Sequence, residues 1–153
     1  MDAEHEQALL DLGRDILAAQ PFSRLVGAEL DALRPGHCVL SLTIVETLLQ
    51  QHGFVHGGVL AYLADNALTY AGSTAMRAPV LTSEFKINFL RPAVGRRLVA
   101  RADAVHVGRQ QAVCRCDVVM VDDAGGEKLC AVAQGTIART GDAPPHDVAA
   151  AKG

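Results

Sequence analysis

Aromatic residues are the scarcest component of this 153-residue chain: four Phe, two Tyr and no Trp. A protein that holds single-stranded nucleic acid by stacking bases needs more aromatic surface than this. An excess of basic charge is missing too. Fourteen Lys and Arg stand against seventeen Asp and Glu, for a formal net charge of -3. That balance argues against bulk attraction to nucleic acid or to an anionic membrane. The four Cys lack the paired C-x₂₋₄-C spacing of a structural zinc site. Cys38 and Cys130 stand alone, and Cys114 and Cys116 share one face of a β-like run. Buried structural thiols and no metal are the expectation. The opening residues, MDAEHEQALLDLGRD, are acidic and amphipathic, unlike a signal or transit peptide, so a cytoplasmic location is expected.

Charge is also absent from one long segment. Between His56 and Arg77 run twenty residues, GGVLAYLADNALTYAGSTAM, whose only formal charge is Asp65. Leu60, Leu63, Ala64, Ala67 and Ala71 fall at i, i+3, i+4, i+7 and i+11, the stripe of a helix buried along one face. Asp65 projects from nearly the opposite side, flanked by the small residues Ala61, Thr69 and Gly72. A carboxylate in the middle, Asn66 beside it and three glycines in the run argue against a membrane span. An isolated acid in apolar surroundings is costly unless it is paired, neutralised or used. The segment opens with His56-Gly57-Gly58, and the glycine N–H groups would stand free at a helix N-terminus, a ready cradle for an oxyanion.

The rest of the chain reads as one domain. Residues 3–19 form an amphipathic helix with Ala8, Leu9, Leu12, Ile16 and Ala19 near one stripe, stopped by Pro21. Strands are expected over 28–33 and 37–45, around an Arg34-Pro35-Gly36 turn, and a polar loop carrying Gln50, Gln51 and His52 follows. Three β-like runs, 80–90, 98–107 and 111–121, precede a hairpin signal at 122–126 and a last strand over 128–139. The pattern predicts an α+β fold with one long helix wrapped by a curved sheet, an antiparallel meander following the helix. The unit boundaries expected are an N-terminal helix over 1–21, the main domain over 22–139 and a mobile tail over 140–153.

Gln50, Gly53, His56-Gly57-Gly58, Leu63-Ala64-Asp65-Asn66-Ala67, Phe89-Leu90-Arg91-Pro92-Ala93, Gly95 and Gly108-Arg109 together resemble the hot-dog-fold thioesterases, of the phenylacetate-pathway and 4-hydroxybenzoyl-CoA type. The resemblance spans about residues 22–139. It implies a sheet wrapped around the central helix, homodimers or dimers of dimers, and hydrolysis of acyl-CoA thioesters without a cofactor. It further implies Asp65 as the catalytic carboxylate and the Gly57 amide as the group that polarises the carbonyl. Gln50 stands where many relatives place Asn, and some aryl-CoA thioesterases place Gln. Thr69 sits one turn after the acid, as in those relatives, and Ser83 matches a serine that assists in some animal members. His56, Gly58, Arg91 and Arg109 complete the substrate-binding candidates, the two arginines as grips for CoA phosphates at the ends of β-like segments.

Thioester hydrolysis needs a polarised carbonyl and a source of oxygen. The Gly57 N–H, at the positive end of a helix, would supply the first. Asp65 would attack the carbonyl directly or activate a water. Gly57 and Asp65 are eight helical residues apart, about 12 Å at 1.5 Å per residue, so both cannot touch one carbonyl from the same helix. A site using both must draw on two subunits, and an isologous dimer is the simplest way to build it. Two other readings stand beside this one: an acyl-thioester hydratase or dehydratase on the same fold, and a non-catalytic acyl-CoA binding module.

Overall fold

The computed structural model describes residues 3–141, so the expected mobile tail lies almost wholly outside the described residues. The elements are α1 (Ala3–Ala19), α2 (Pro21–Val26), β1 (Ala28–Arg34), β2 (His37–Thr43), α3 (Gly57–Met76), β3 (Val80–Phe89), β4 (Arg97–Val107), β5 (Gln111–Val121) and β6 (Glu127–Arg139). Helix α3 occupies the twenty residues that the charge-poor segment predicted. Leu60, Leu63, Ala64, Ala67 and Ala71 are all buried, and the helix packs against each of the six strands. A fully buried Leu contributes roughly 1.5–3 kcal/mol relative to exposure, so this stripe fixes the rotation of α3 about its axis. The fold is the expected α+β arrangement of a long helix on an antiparallel sheet. No helix among the described residues is long and apolar enough to cross a membrane.

The sheet order is β1-β2-β4-β5-β6-β3, antiparallel throughout. The expected meander therefore holds for β4, β5 and β6 but not for β3. Instead of pairing with β4, β3 closes the far edge against β6, and the segment 90–96 carries the chain across to pair β4 with β2. Pro92 cannot continue a ladder. Gly95 has φ 119°, and a Cβ on it would lie 2.5 Å from the Val121 carbonyl oxygen, so only glycine lets the crossing run this close to β5.

Alternation along β3 changes phase midway. Val80 and Thr82 face inward, and then Phe85 and Ile87 do. Thr82 pairs with Ile137 and Glu84 with Thr136, which leaves Ser83 as the extra residue of a bulge. Gly135 makes room for it, since a Cβ there would sit 2.8 Å from the Phe85 Cβ and 2.9 Å from the Glu84 carbonyl. Without the bulge, strict alternation would turn the Glu84 carboxylate toward α3.

Helix α1 buries a different face from the one expected. Gly13 and Leu17 are buried with Leu9 and Leu10 packed alongside, whereas Leu12 and Ile16 are 57% and 49% exposed. Gly13 decides this. A Cβ there would fall 2.7 Å from both Leu30 and Leu33, so the helix approaches β1 on its glycine, and the Tyr70 hydroxyl donates to the Gly13 carbonyl at 2.9 Å. Pro21 ends α1 as expected and also starts α2, at the first-turn position where a missing N–H costs nothing. The four thiols are buried. Burial pushes Cys114 up to about 11 and Cys116 to about 12, and raises Cys38 and Cys130 as well, so none presents a thiolate at neutral pH.

Candidate active site

The N-terminus of α3 leaves one donor unused. His56 is the N-cap: its Nδ1 accepts the Gly58 N–H at 2.9 Å, and its carbonyl accepts the Val59 N–H at 2.9 Å. The Gly57 N–H has no acceptor among the described residues. A Cβ on Gly57 would meet only the Phe89 ring, 3.4 Å away. Neither a positive φ nor tight packing within the chain demands glycine at this position.

The surroundings make a pocket of it. A cavity of about 400 Å³ is lined by Gln50, Phe54, Gly57, Leu60, Phe89 and Arg91, among others. Its walls are joined by backbone bonds: Val55 N–H donates to Ala93 O at 2.9 Å, His56 N–H to Leu48 O at 2.9 Å, and Gln50 N–H to Phe54 O at 2.8 Å. The Gln50 side-chain oxygen accepts the His52 N–H, so its NH₂ is the end available to a carbonyl or a water. The Arg91 side chain is exposed on the rim. This cavity brings together Gln50, Gly57 and Arg91, three of the residues singled out by sequence.

Asp65 is half-buried on α3, nearly opposite the stripe of Leu60, Leu63, Ala64, Ala67 and Ala71. The Thr82 hydroxyl, reaching across from β3, donates to Asp65 Oδ1 at 2.7 Å. Thr69 touches the acid's main chain and not its carboxylate: its hydroxyl donates to the Asp65 carbonyl at 2.9 Å and lies 3.0 Å from Thr82 Oγ1. With two hydroxyl protons committed to those two bonds, one carboxylate oxygen of Asp65 is left without a donor among the described residues. Of the small flankers expected to open this face, Gly72 instead packs on the sheet, where a Cβ would lie 2.7 Å from Ile137.

Other candidates lie apart. Ser83 is exposed at the bulge, and its neighbour Thr82 holds the position against the acid. Thr82 was missed because sequence alternation alone does not reveal a bulge; Gly135 in the middle of a strand was the signal that could have shown it. Arg109 sits in the β4–β5 turn. There the Gln110 carbonyl takes the Arg139 N–H at 2.8 Å, and the Arg139 guanidinium reaches Met76 O at the far end of α3. Arg91 and Arg109 of one chain are therefore at opposite ends of a helix about 30 Å long. Among the described residues no cluster of three or more His, Cys, Asp or Glu could hold a metal ion.

Comparison with known proteins agrees with this geometry. A family model described as the Thioesterase superfamily matches residues 52–127, which run from the Gln50 loop through α3 to the start of β6. The chain is 34% identical over 98 residues to the acyl-coenzyme A thioesterase PaaI of Escherichia coli (strain K12), covering 63% of this chain and 69% of that one. The solved structure of E. coli PaaI, from the phenylacetic acid degradation operon, superposes with a TM-score of 0.78 at 26% identity, covering 89% of this chain and 96% of that one. A thioesterase family protein from Silicibacter pomeroyi gives a TM-score of 0.77 at 38% identity, covering 82% and 93%. An unused amide at the start of a buried helix, an acid on its open face and these relatives lead to one assignment: the chain belongs to the thioesterase superfamily, as a hot-dog-fold protein of the PaaI type.

Proposed function

We propose that the protein hydrolyses an aryl-CoA or a short- to medium-chain acyl-CoA to the free acid and CoA. The observation that carries this reading is the unused Gly57 N–H, facing a lined cavity at the positive end of α3. The thioester carbonyl oxygen accepts from Gly57, and the negative charge that develops there is stabilised by that donor and the helix dipole. Asp65, with one oxygen held by Thr82, uses the other to attack the carbonyl carbon or to take a proton from an attacking water. The C–S bond then breaks and the CoA thiolate leaves to be protonated. By the attack route an acyl–Asp65 anhydride forms and a water cleaves it. Gln50 orients the carbonyl or the water by its amide NH₂, and the exposed guanidinium of Arg91 is available to a CoA phosphate.

The 12 Å between Gly57 and Asp65 on one helix requires the acid to come from a second copy of the chain. Strand β3 supports such pairing. It is an edge strand of ten residues, with Leu81 and Phe89 exposed 66% and 55%, and an uncovered edge of that length is a ready template for a partner strand.

Release of free thiol from a panel of acyl-CoAs tests the reading. Asp65→Asn should stay folded by circular dichroism and lose at least about a thousandfold in kcat. Wild-type turnover in that variant would discard Asp65. Binding without thiol release would favour an acyl-CoA binding module, and loss of enoyl-CoA absorbance without thiol would favour a hydratase.

A further inference from the structure

Four polar side chains beside Asp65 take no part in the chemistry above. The Tyr62 hydroxyl donates to Ser23 Oγ at 2.6 Å, and Ser23 in turn donates to Gln20 Oε1 at 2.5 Å. The Asn66 amide donates to Tyr62 Oη at 3.1 Å and to Gln20 Oε1 at 3.3 Å. The ring closes with every hydroxyl proton placed, and Ser23 is 1% exposed. It joins the elbow between α1 and α2 to the open face of α3. The elbow is itself stiff. Pro21 opens α2, Gln20 N–H bonds back to Leu17 O at 3.1 Å, and Gly27 closes the helix at φ 72° with its N–H on the Arg24 and Ser23 carbonyls.

What this ring of bonds fixes is an aromatic surface. The hydroxyl of Tyr62 is fully engaged, so its ring has one orientation. Phe22 meets it edge-on, with ring centres 5.1 Å apart and planes at 74°, while remaining 55% exposed. Tyr70, by contrast, is buried. The position of the pair is equally informative. At about 100° per residue, Tyr62 stands about 60° around α3 from Asp65 and one turn toward the N-terminus, the direction in which helical side chains lean. Thr82 of β3 flanks Asp65 on one side, and Tyr62 with Phe22 flanks the open face on the other. The strip between them carries Gly58, Ala61 and Asp65 and has no large side chain.

We propose that Tyr62 and Phe22 form the wall against which the acyl group of the thioester lies, and that Tyr62 is a specificity-determining residue. This rests on the thioesterase reading of Asp65. A wall held by hydrogen bonds does not yield as a loosely packed side chain would, so it sets the width of the acyl site. It favours a compact or planar acyl group that can lie against the rings and disfavours a long flexible chain. Replacing the ring with a methyl group opens the strip.

The test is selectivity. For wild type, Phe22→Ala, Tyr62→Ala and Tyr62→Phe, kcat/KM is measured with benzoyl-, butyryl- and decanoyl-CoA. Dissociation constants for the same three ligands are measured by calorimetry in the Asp65→Asn background. Tyr62→Ala should shift the decanoyl-to-benzoyl ratio about tenfold toward decanoyl, the scale of one lost aromatic contact, with the change in KM. Phe22→Ala should shift it the same way by a smaller factor, and Tyr62→Phe should keep the wild-type ratio within about threefold. Phe22 is half exposed and outside the ring of bonds, so its variant decides the matter if Tyr62→Ala does not fold. Ratios within twofold of wild type in every folded alanine variant would overturn the proposal. Should the protein bind these ligands without hydrolysing them, the thioesterase reading fails, and the dissociation-constant ratios still judge the wall by the same criterion.

Discussion

Crossing two inactive variants probes the composite site most directly. The first is Gly57→Pro. His56 has φ -59° and ψ 133°, within the extended region that a residue before proline adopts. Position 57 is the first of the helix, where proline is well tolerated, and its N–H has no acceptor among the described residues. A Cβ there meets only the Phe89 ring, at 3.4 Å. The substitution thus deletes the proposed oxyanion donor and little else, and should lower kcat by about 10²–10³, the cost of one oxyanion contact. The second variant is Asp65→Asn. Equal amounts are unfolded together, refolded, and assayed for thiol release, with dimers verified by mass. Half the dimers are mixed. In each of these one site carries both lesions, and the other takes an intact Gly57 from one chain and an intact Asp65 from its partner. Activity should recover to about one quarter of wild type. Verified mixed dimers that recover nothing would mean both groups act within one chain, and the separation argued from helical rise would be wrong.

Three further outcomes are expected. Thr82→Val removes the hydroxyl on Asp65 Oδ1 while keeping the β-branched shape, and should lower kcat roughly 10- to 100-fold with KM little changed, the worth of a hydrogen bond to a charged group; Thr82→Ser should restore most of the loss, and equal kinetics for all three would show the bond is idle. Gly72→Ala gains about 1 kcal/mol of helix propensity but drives a methyl into Ile137, an overpacking of about 1–3 kcal/mol, so urea denaturation should show net destabilisation. For Cys114 and Cys116, an unfolded thiol ionises near 9 whereas the folded ones hold their protons to about 11 and 12; the native state binds more protons in that window, so stability should fall by about 1.4 kcal/mol per pH unit per thiol above pH 9, and a flat alkaline limb would contradict the burial of both.

The central helix was legible because its signal is periodic and nearly free of charge: both ends, the buried stripe and the lone acid are all present in the order of residues. The strands were legible as runs, but their order was not, because pairing depends on where the 90–96 crossing goes, and that is set by a close approach of Gly95 to β5. The face buried by α1 was misjudged for a related reason. Hydrophobic periodicity weighs Leu12 and Ile16 above Gly13, yet the absent side chain of Gly13 is what allows the helix to seat. At the site, His56-Gly57-Gly58 and Asp65 stand out as residue types, whereas Thr82 depends on a bulge, and the bonds among Gln20, Ser23, Tyr62 and Asn66 depend on two segments about forty residues apart meeting side by side. Partners chosen by tertiary contact leave no local pattern to read.

The proposed chemistry constrains how two copies must meet. Each α3 offers an N-terminal donor and, about 12 Å along, an acid. If the two serve one carbonyl, the start of one helix must face the middle of another, which two-fold symmetry satisfies twice over with a single interface. The approach must also come from a side the chain leaves open. One flank of Asp65 is closed by the α1–α2 elbow through Tyr62 and Asn66. The other is bounded by Thr82, which lies on β3, the strand whose outer edge has no partner among the described residues. A second copy joined along that edge would reach Asp65 past a single side chain and leave the aromatic wall free for the acyl group. On that reading the edge strand, the inward-facing Thr82 it carries and the unused amide of Gly57 are parts of one requirement: an acid and an oxyanion donor that a rigid helix keeps apart in each subunit are brought together between subunits.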